Sequence, residues 1–133
     1  MAFINEGARR SLAALASATS AQDTARNGTA LTTNQIHPGS LVAKVAVTIV
    51  TGSVVATFKW QVSDDNSTFY DLKLPNNAAE VTITATATRA IPAPDGVGSW
   101  KYVRPVITLS GAPTAAGDLT AVDCKFLQFN DLE

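Results

Sequence analysis

"VVATFKWQVSDDNSTFYDL", residues 54–72, alternates two kinds of side chain and then stops on two acids and an asparagine. Val54, Ala56, Phe58, Trp60 and Val62 fall on one side of an extended chain, and Val55, Thr57, Lys59, Gln61 and Ser63 on the other. Successive side chains of a strand point to opposite faces, so this period of two predicts a strand with one buried face and one facing water. Residues 64–67, "DDNS", supply turn chemistry, because Asp and Asn side chains satisfy nearby backbone amides and tolerate left-handed backbone. "TFYDLKL", residues 68–74, then returns as the next strand.

The same alternation extends in both directions. In "LVAKVAVTIV", residues 41–50, Leu41, Ala43, Val45, Val47 and Ile49 share a face, and Lys44 and Thr48 lie on the other. "TGS", residues 51–53, is a turn. After a break at "PNNAA", residues 75–79, "EVTITATAT" sets Val81, Ile83, Ala85 and Ala87 against Glu80 and four threonines, which predicts one strand covered on one side. "IPAPDGVGS", residues 91–99, reads as a long irregular loop. "WKYVRPVITLSG", residues 100–111, is a strand in which Pro105 predicts an edge position or a bulge, because proline donates no ladder hydrogen bond. A second loop, "APTAAG", leads into a last strand, "DLTAVDCKFLQF", residues 118–129.

Upstream, two readings stand. "NEGARRSLAALASA", residues 5–18, fits a short helix capped by Asn5, with Leu12 and Leu15 on one side. It also fits an extended arm or strand continuing through "SATSAQDTA", joined by the turn "RNG" (residues 26–28) to "TALTTNQI" as a hairpin. Residues 17–36 are expected to pair as strands. Residues 1–19 are set apart as an N-terminal arm or short helix, and residues 20–133 as the sandwich domain. Strands recurring every 8–12 residues predict an all-β fold, an antiparallel β-sandwich of jelly-roll or immunoglobulin-like type, with a closed barrel as the alternative.

Composition narrows the function. The 133 residues suit one domain, and 46% apolar against 16% charged residues argues against disorder. The net charge of −1 and the lack of a basic block give no footprint for nucleic acid. No run approaches the ~20 apolar residues of a membrane span. "GARRSLAALASATSAQ", residues 7–22, loosely mimics a twin-arginine export signal. Its apolar stretch is short and Glu6 sits in the basic region, so export is not expected. A single cysteine, Cys124, excludes an internal disulfide and reads as a small filler of a strand. The single histidine, His37, reads as a loop residue.

Candidate chemistry is sparse. A calcium loop wants acids at alternate positions and a central glycine, whereas Asp64 and Asp65 are adjacent and followed by Asn66. Neighbouring loop carboxylates do not flank a glycosidic bond. "GxSxG" does not occur, and "PDGVGS" lacks the Lys-Ser/Thr ending of a phosphate loop. The sequons at Asn27 and Asn66 read as chance matches. No catalytic residue, metal or cofactor is expected, and the chain is not expected to be an enzyme. Phe58 and Trp60 are expected inside the sandwich. Trp100 and Tyr102, beside the "DGVG" loop, are candidates either for the core or for stacking on sugar rings.

The order "WQVSDDN", "FYDL", an irregular loop, "WKYVRPVI" and "SGAPTAAGD" resembles small β-sandwich structural proteins of tailed bacteriophage particles. "DTARNGTALT" (residues 23–32) and "GSLVAKVAVTIVTGS" (residues 39–53) look like that family's opening strands, and the likeness covers roughly residues 20–129. It implies a virion component assembled in the host cytoplasm, most often a head decoration or cement protein, sometimes a head–tail or tail-surface piece. The implied partners are the major capsid protein or other virion proteins and further copies of the chain, with no nucleic acid and no membrane. Arg9 and Arg10 are then candidates to meet acidic groups on a shell protein. Discoidin-like carbohydrate-binding sandwiches share part of the layout, which makes a glycan-binding module using Trp100 and Tyr102 the alternative.

Overall fold

The alternating stretch at residues 54–63 forms strand β5 (Val55–Ser63), and its inward residues Ala56, Phe58, Trp60 and Val62 are at most 1% exposed. The computed structural model describes residues 8–73 and 80–128. The other strands among them are β1 (Ala8–Ala18), β2 (Ala25–Asn27), β3 (Leu31–Thr32), β4 (Val42–Thr48), β6 (Tyr70–Leu72), β7 (Val81–Ile83), β8 (Ala87–Pro92), β9 (Tyr102–Ser110) and β10 (Leu119–Gln128). Among the described residues no helix is long and apolar enough to cross a membrane.

Every pairing between these strands is antiparallel. The first sheet runs β1-β10-β4-β8, and the second runs β2-β9-β5-β6, with β3 also on β9 and β7 also on β5. Taking β2 with β3 and β6 with β7 as interrupted strands, the chain-order wiring is 1-8-3-6 in one sheet and 2-7-4-5 in the other. That is the wiring of a jelly roll, a double-sheet sandwich. The chain changes sheet at each connection between these strands except the bend at residues 64–69, which joins β5 to β6 within the second sheet.

Between the sheets, Val45 and Val47 of β4 and Val122 and Cys124 of β10 face Phe58, Trp60, Ile107 and Leu109, all within one buried cluster. The Phe58 and Trp60 rings meet edge to face, 5.4 Å between centroids, a geometry that sets the positive ring edge on the negative ring face. Cys124 fills a strand position at 0% exposure, as its apolar surroundings in the sequence predict.

Several expectations are corrected. Ala8–Ala18 is not helical. It takes the strand reading, as an edge strand paired to β10, because the ladder to β10 overrides the helix propensity of its alanines. The chain set apart as an arm therefore contributes, from Ala8 onward, a strand of the sandwich; Asn5 and Glu6 lie outside the described residues. "RNG" does not close a hairpin. The segments on either side of Gly28 both pair with β9, Asn27 opposite Val106 and Leu31 opposite Val103. Pro105 is accordingly not on an edge strand. The neighbouring strand is interrupted where it passes Pro105, which removes the need for the missing N–H, and Gly28 donates to the Pro105 carbonyl at 2.7 Å.

"EVTITATAT" is two strands rather than one. β7 lies on β5 in the second sheet and β8 on β4 in the first. At the crossing, the Thr86 hydroxyl accepts from the Ile49 N–H and donates to the Ile49 carbonyl, at 3.0 and 3.2 Å, where a backbone ladder would otherwise continue. Ile91 and Pro92, placed in a loop by the sequence, complete β8, and a 3-10 turn (Asp95–Ser99) follows. The break at "PNNAA" lies outside the described residues.

The loops at one end are drawn together by Asp118, which is fully buried. Its Oδ1 accepts the N–H groups of Val50 and Thr51, at 2.8 and 3.0 Å. Its Oδ2 accepts the Thr51 hydroxyl at 2.6 Å and the N–H and hydroxyl of Thr114 at 2.9 and 3.1 Å. The Thr51 hydroxyl, with the amides of Thr51, Thr114 and Val50, outweighs burial and holds this carboxyl well below the usual carboxylate range.

Candidate functional site

The two adjacent acids of the opening stretch do different things. Asp65 Oδ1 accepts the N–H groups of Thr68 and Ser67, each at 2.9 Å, and the Ser63 hydroxyl at 3.0 Å. Those bonds keep its carboxyl below the ordinary range. Asn66 follows with φ at 59°, the left-handed backbone that Asn tolerates. Asp65 thus builds the bend, as turn chemistry predicts. Asp64 instead lines a cleft. Among the described residues no three His, Cys, Asp or Glu side chains converge as metal ligands.

That cleft, about 590 Å³, lies where the segment after β3, the bend after β5 and the loop before β9 meet. Trp100 and Tyr102 both line it, together with Asn34, Asp64, Ser99 and Lys101. Sequence reasoning paired Trp100 with Tyr102. In the structure the indole also packs on the core cluster and tilts against Tyr70, 5.6 Å between ring centroids and 41° between planes. Tyr70 is 54% exposed, and its place beside Trp100 depends on how β6 meets the loop before β9.

Arg9 and Arg10 lie on β1, an edge strand of the first sheet, and line a groove of about 580 Å³. Arg9 is in register with Leu127, Arg10 with Phe126 and Ser11 with Lys125. Paired residues in a ladder share a face, so Arg9 and Lys125 project from the outer side and Arg10 from the other. Lys125 Nζ donates to Ser11 Oγ at 3.4 Å and Arg10 Nε to Gln128 Oε1 at 2.9 Å. Val42, Phe126 and Leu127 supply an apolar floor, and the described residues of the lining include no carboxylate. Lys125 is the functional candidate that sequence reasoning missed, because only the β1–β10 register brings it beside the arginines.

The two outer faces differ. On the second sheet the polar groups satisfy one another. Arg104 donates twice to Gln61 Oε1, at 3.0 and 2.8 Å, and Gln61 Nε2 donates to Asp71 Oδ1 at 2.9 Å. Lys59 sits 3.2 Å from the same carboxylate, and the Arg104 guanidinium lies 3.7 Å above the Phe69 ring. On the first sheet the register stacks Ala13, Asp123, Lys44 and Ala90 in one row, and Ser11, Lys125, Val42 and Pro92 in the next. Ala121, Ala46 and Thr88 form a third. Apart from Lys44 and Lys125, the side chains of these rows are short. No protein-family model matches the chain, and no curated protein matches it at a significant level.

Proposed function

We propose that this chain is a non-enzymatic structural protein of a tailed-phage particle, a head decoration or cement protein that lies on the shell through the outer face of its first sheet. The observation that carries this reading is the contrast between the two outer faces. Between Lys44 and Lys125, the short side chains of that face let a partner's surface approach closely and lose little side-chain entropy on contact. A standard protein–protein interface takes ~800 Å² from each partner, an area that a four-stranded sheet face can supply.

The groove beside that face supports a partner of opposite charge. Arg9 and Lys125 present two cations from the outer side of that groove, and Arg10 adds a third from the other side of β1. An acidic segment of a shell protein would complete both features. Many symmetric copies, contacting the shell and one another, would turn modest single contacts into tight attachment. The location that follows is the virion, assembled in the host cytoplasm.

The test is association with particles. The chain should co-purify with them in many copies, and particles lacking it should lose resistance to heat or osmotic shock. The triple charge reversal Arg9→Glu, Arg10→Glu, Lys125→Glu should detach it without unfolding it. Equally robust particles without the chain, or undiminished attachment of the folded triple variant, would remove the cement reading.

A further inference from the structure

We propose that the cleft at the loop end of the sandwich binds a short uncharged saccharide, with one pyranose ring resting against Trp100. A sugar ring presents an apolar patch of C–H groups on one face and hydroxyls, each both donor and acceptor, around its rim. The cleft offers matching chemistry. Trp100 and Tyr102 supply half-buried aromatic surface. Around them Asp64 can only accept hydrogen bonds, Lys101 can only donate, and Asn34 does both.

Charge separates this site from the basic groove. Among the described residues of the lining Asp64 and Lys101 are the charged ones, one of each sign, so these walls do not favour a phosphate or a polyanion. Its volume of about 590 Å³ falls within the ~300–1,000 Å³ of small-ligand clefts.

The walls are held before any ligand arrives. Thr33 N–H donates to the Lys101 carbonyl at 2.9 Å, the Thr33 hydroxyl donates to the Trp100 carbonyl, and Trp100 N–H donates to the Val97 carbonyl at 3.3 Å. Tyr70 braces the indole from the side of β6. Groups already fixed in place lose little entropy on binding, so even a few hydrogen bonds and one stacked ring suffice for measurable affinity. The two tryptophans differ in burial: Trp60 is 1% exposed, whereas Trp100 is only half-buried.

The experiment begins with the full chain on a broad glycan array, followed by ¹H,¹⁵N NMR titration with the neutral glycans that bind and with inorganic phosphate and a sulfated heparin disaccharide as anionic probes. A neutral glycan should shift the Trp100 indole N–H and amides near residues 32–36 and 98–102. Trp100→Ala should weaken binding at least tenfold. Because that indole also touches the core, Asp64→Ala and Lys101→Ala serve as second variants: both side chains are exposed, and each should weaken binding several-fold with Tm unchanged. No neutral glycan bound on the array, shifts confined to residues outside the cleft, binding by the anionic probes alone, or affinity unchanged in both Asp64→Ala and Lys101→Ala would overturn the proposal.

Discussion

The guanidinium of Arg26, on β2 of the second sheet, donates from Nη1 to both the carbonyl and the hydroxyl of Thr120 on β10 of the first, at 2.9 Å each. The same group reaches the carbonyls of Ala18 at 3.0 Å and Ala16 at 2.6 Å. These carbonyls belong to the part of β1 where the ladder to β10 slips register between Leu15 and Ala18. One side chain therefore joins the two sheets along an edge where backbone pairing is broken, and it does so through neutral oxygens rather than an acid.

Arg26→Ala should remove this tie and leave carbonyls at a closed edge without their donor. The expected cost is about 2 kcal/mol, read as a lower urea midpoint at unchanged m-value. Arg26→Lys should recover only part of it, since a single ammonium does not span the set of oxygens that the planar fork reaches. A midpoint unchanged in Arg26→Ala would mean that the edge is closed by other contacts.

Asp118 makes stability depend on acid. Its folded-state carboxyl ionises below the unfolded value of ~3.9, so the stability it adds is complete above that pH and is lost as the pH falls from there toward its folded-state value. Thermal melts between pH 7 and 2 should show Tm dropping below about pH 4. Asp118→Asn, which places a donor where Oδ2 accepts three hydrogen bonds, should lower Tm at pH 7 and flatten the acid limb. Parallel curves for the two proteins would show that other acids, such as Asp65 and Asp71, carry the acid sensitivity.

Gly28 should tolerate no side chain. A Cβ there would stand 2.7 Å from Pro105 Cγ and 2.9 Å from the Pro105 carbonyl oxygen, both far inside contact distance. Gly28→Ala is expected to cost ~1–3 kcal/mol through displacement of the interrupted strand from β9. Differential scanning calorimetry against the wild type would check it, and an unaltered Tm would show that the Pro105 region yields freely.

Cys124 should be chemically silent while the chain is folded. Burial, with a further contribution from the Asp123 charge, pushes its thiol up to about 12, and the side chain has no exposed surface. An aromatic disulfide reagent at pH 8 should label it in denaturant and leave the native protein untouched over the same interval. Labelling at equal rates in both states would put the thiol at the surface.

Much of the fold was legible because alternation is local. The inward set Ala56, Phe58, Trp60 and Val62 follows from backbone geometry alone, and the bend at Asp65 follows from what a carboxylate does to the next few amides. The misreadings share one cause. "EVTITATAT" keeps its period of two while passing from one sheet to the other, because each half is covered on one side. "RNG" has the composition of a hairpin turn, yet β9 offered both flanking segments a better partner. The candidate sites were legible only in fragments: Arg9 and Arg10 without Lys125, and Trp100 and Tyr102 without Tyr70 or Asp64.

From its sequence alone this protein was determined to be an all-β sandwich with Phe58 and Trp60 inside and Asp64 and Asp65 at a chain reversal, since these depend on residues within a few positions of each other. Tertiary structure alone decided the strand order, the joining of Arg10 to Gln128 across 118 positions, and the meeting of three loops around Trp100. Such pairings are selected by the packing of whole sheets, and a local stretch of chain holds no record of which distant strand will lie beside it.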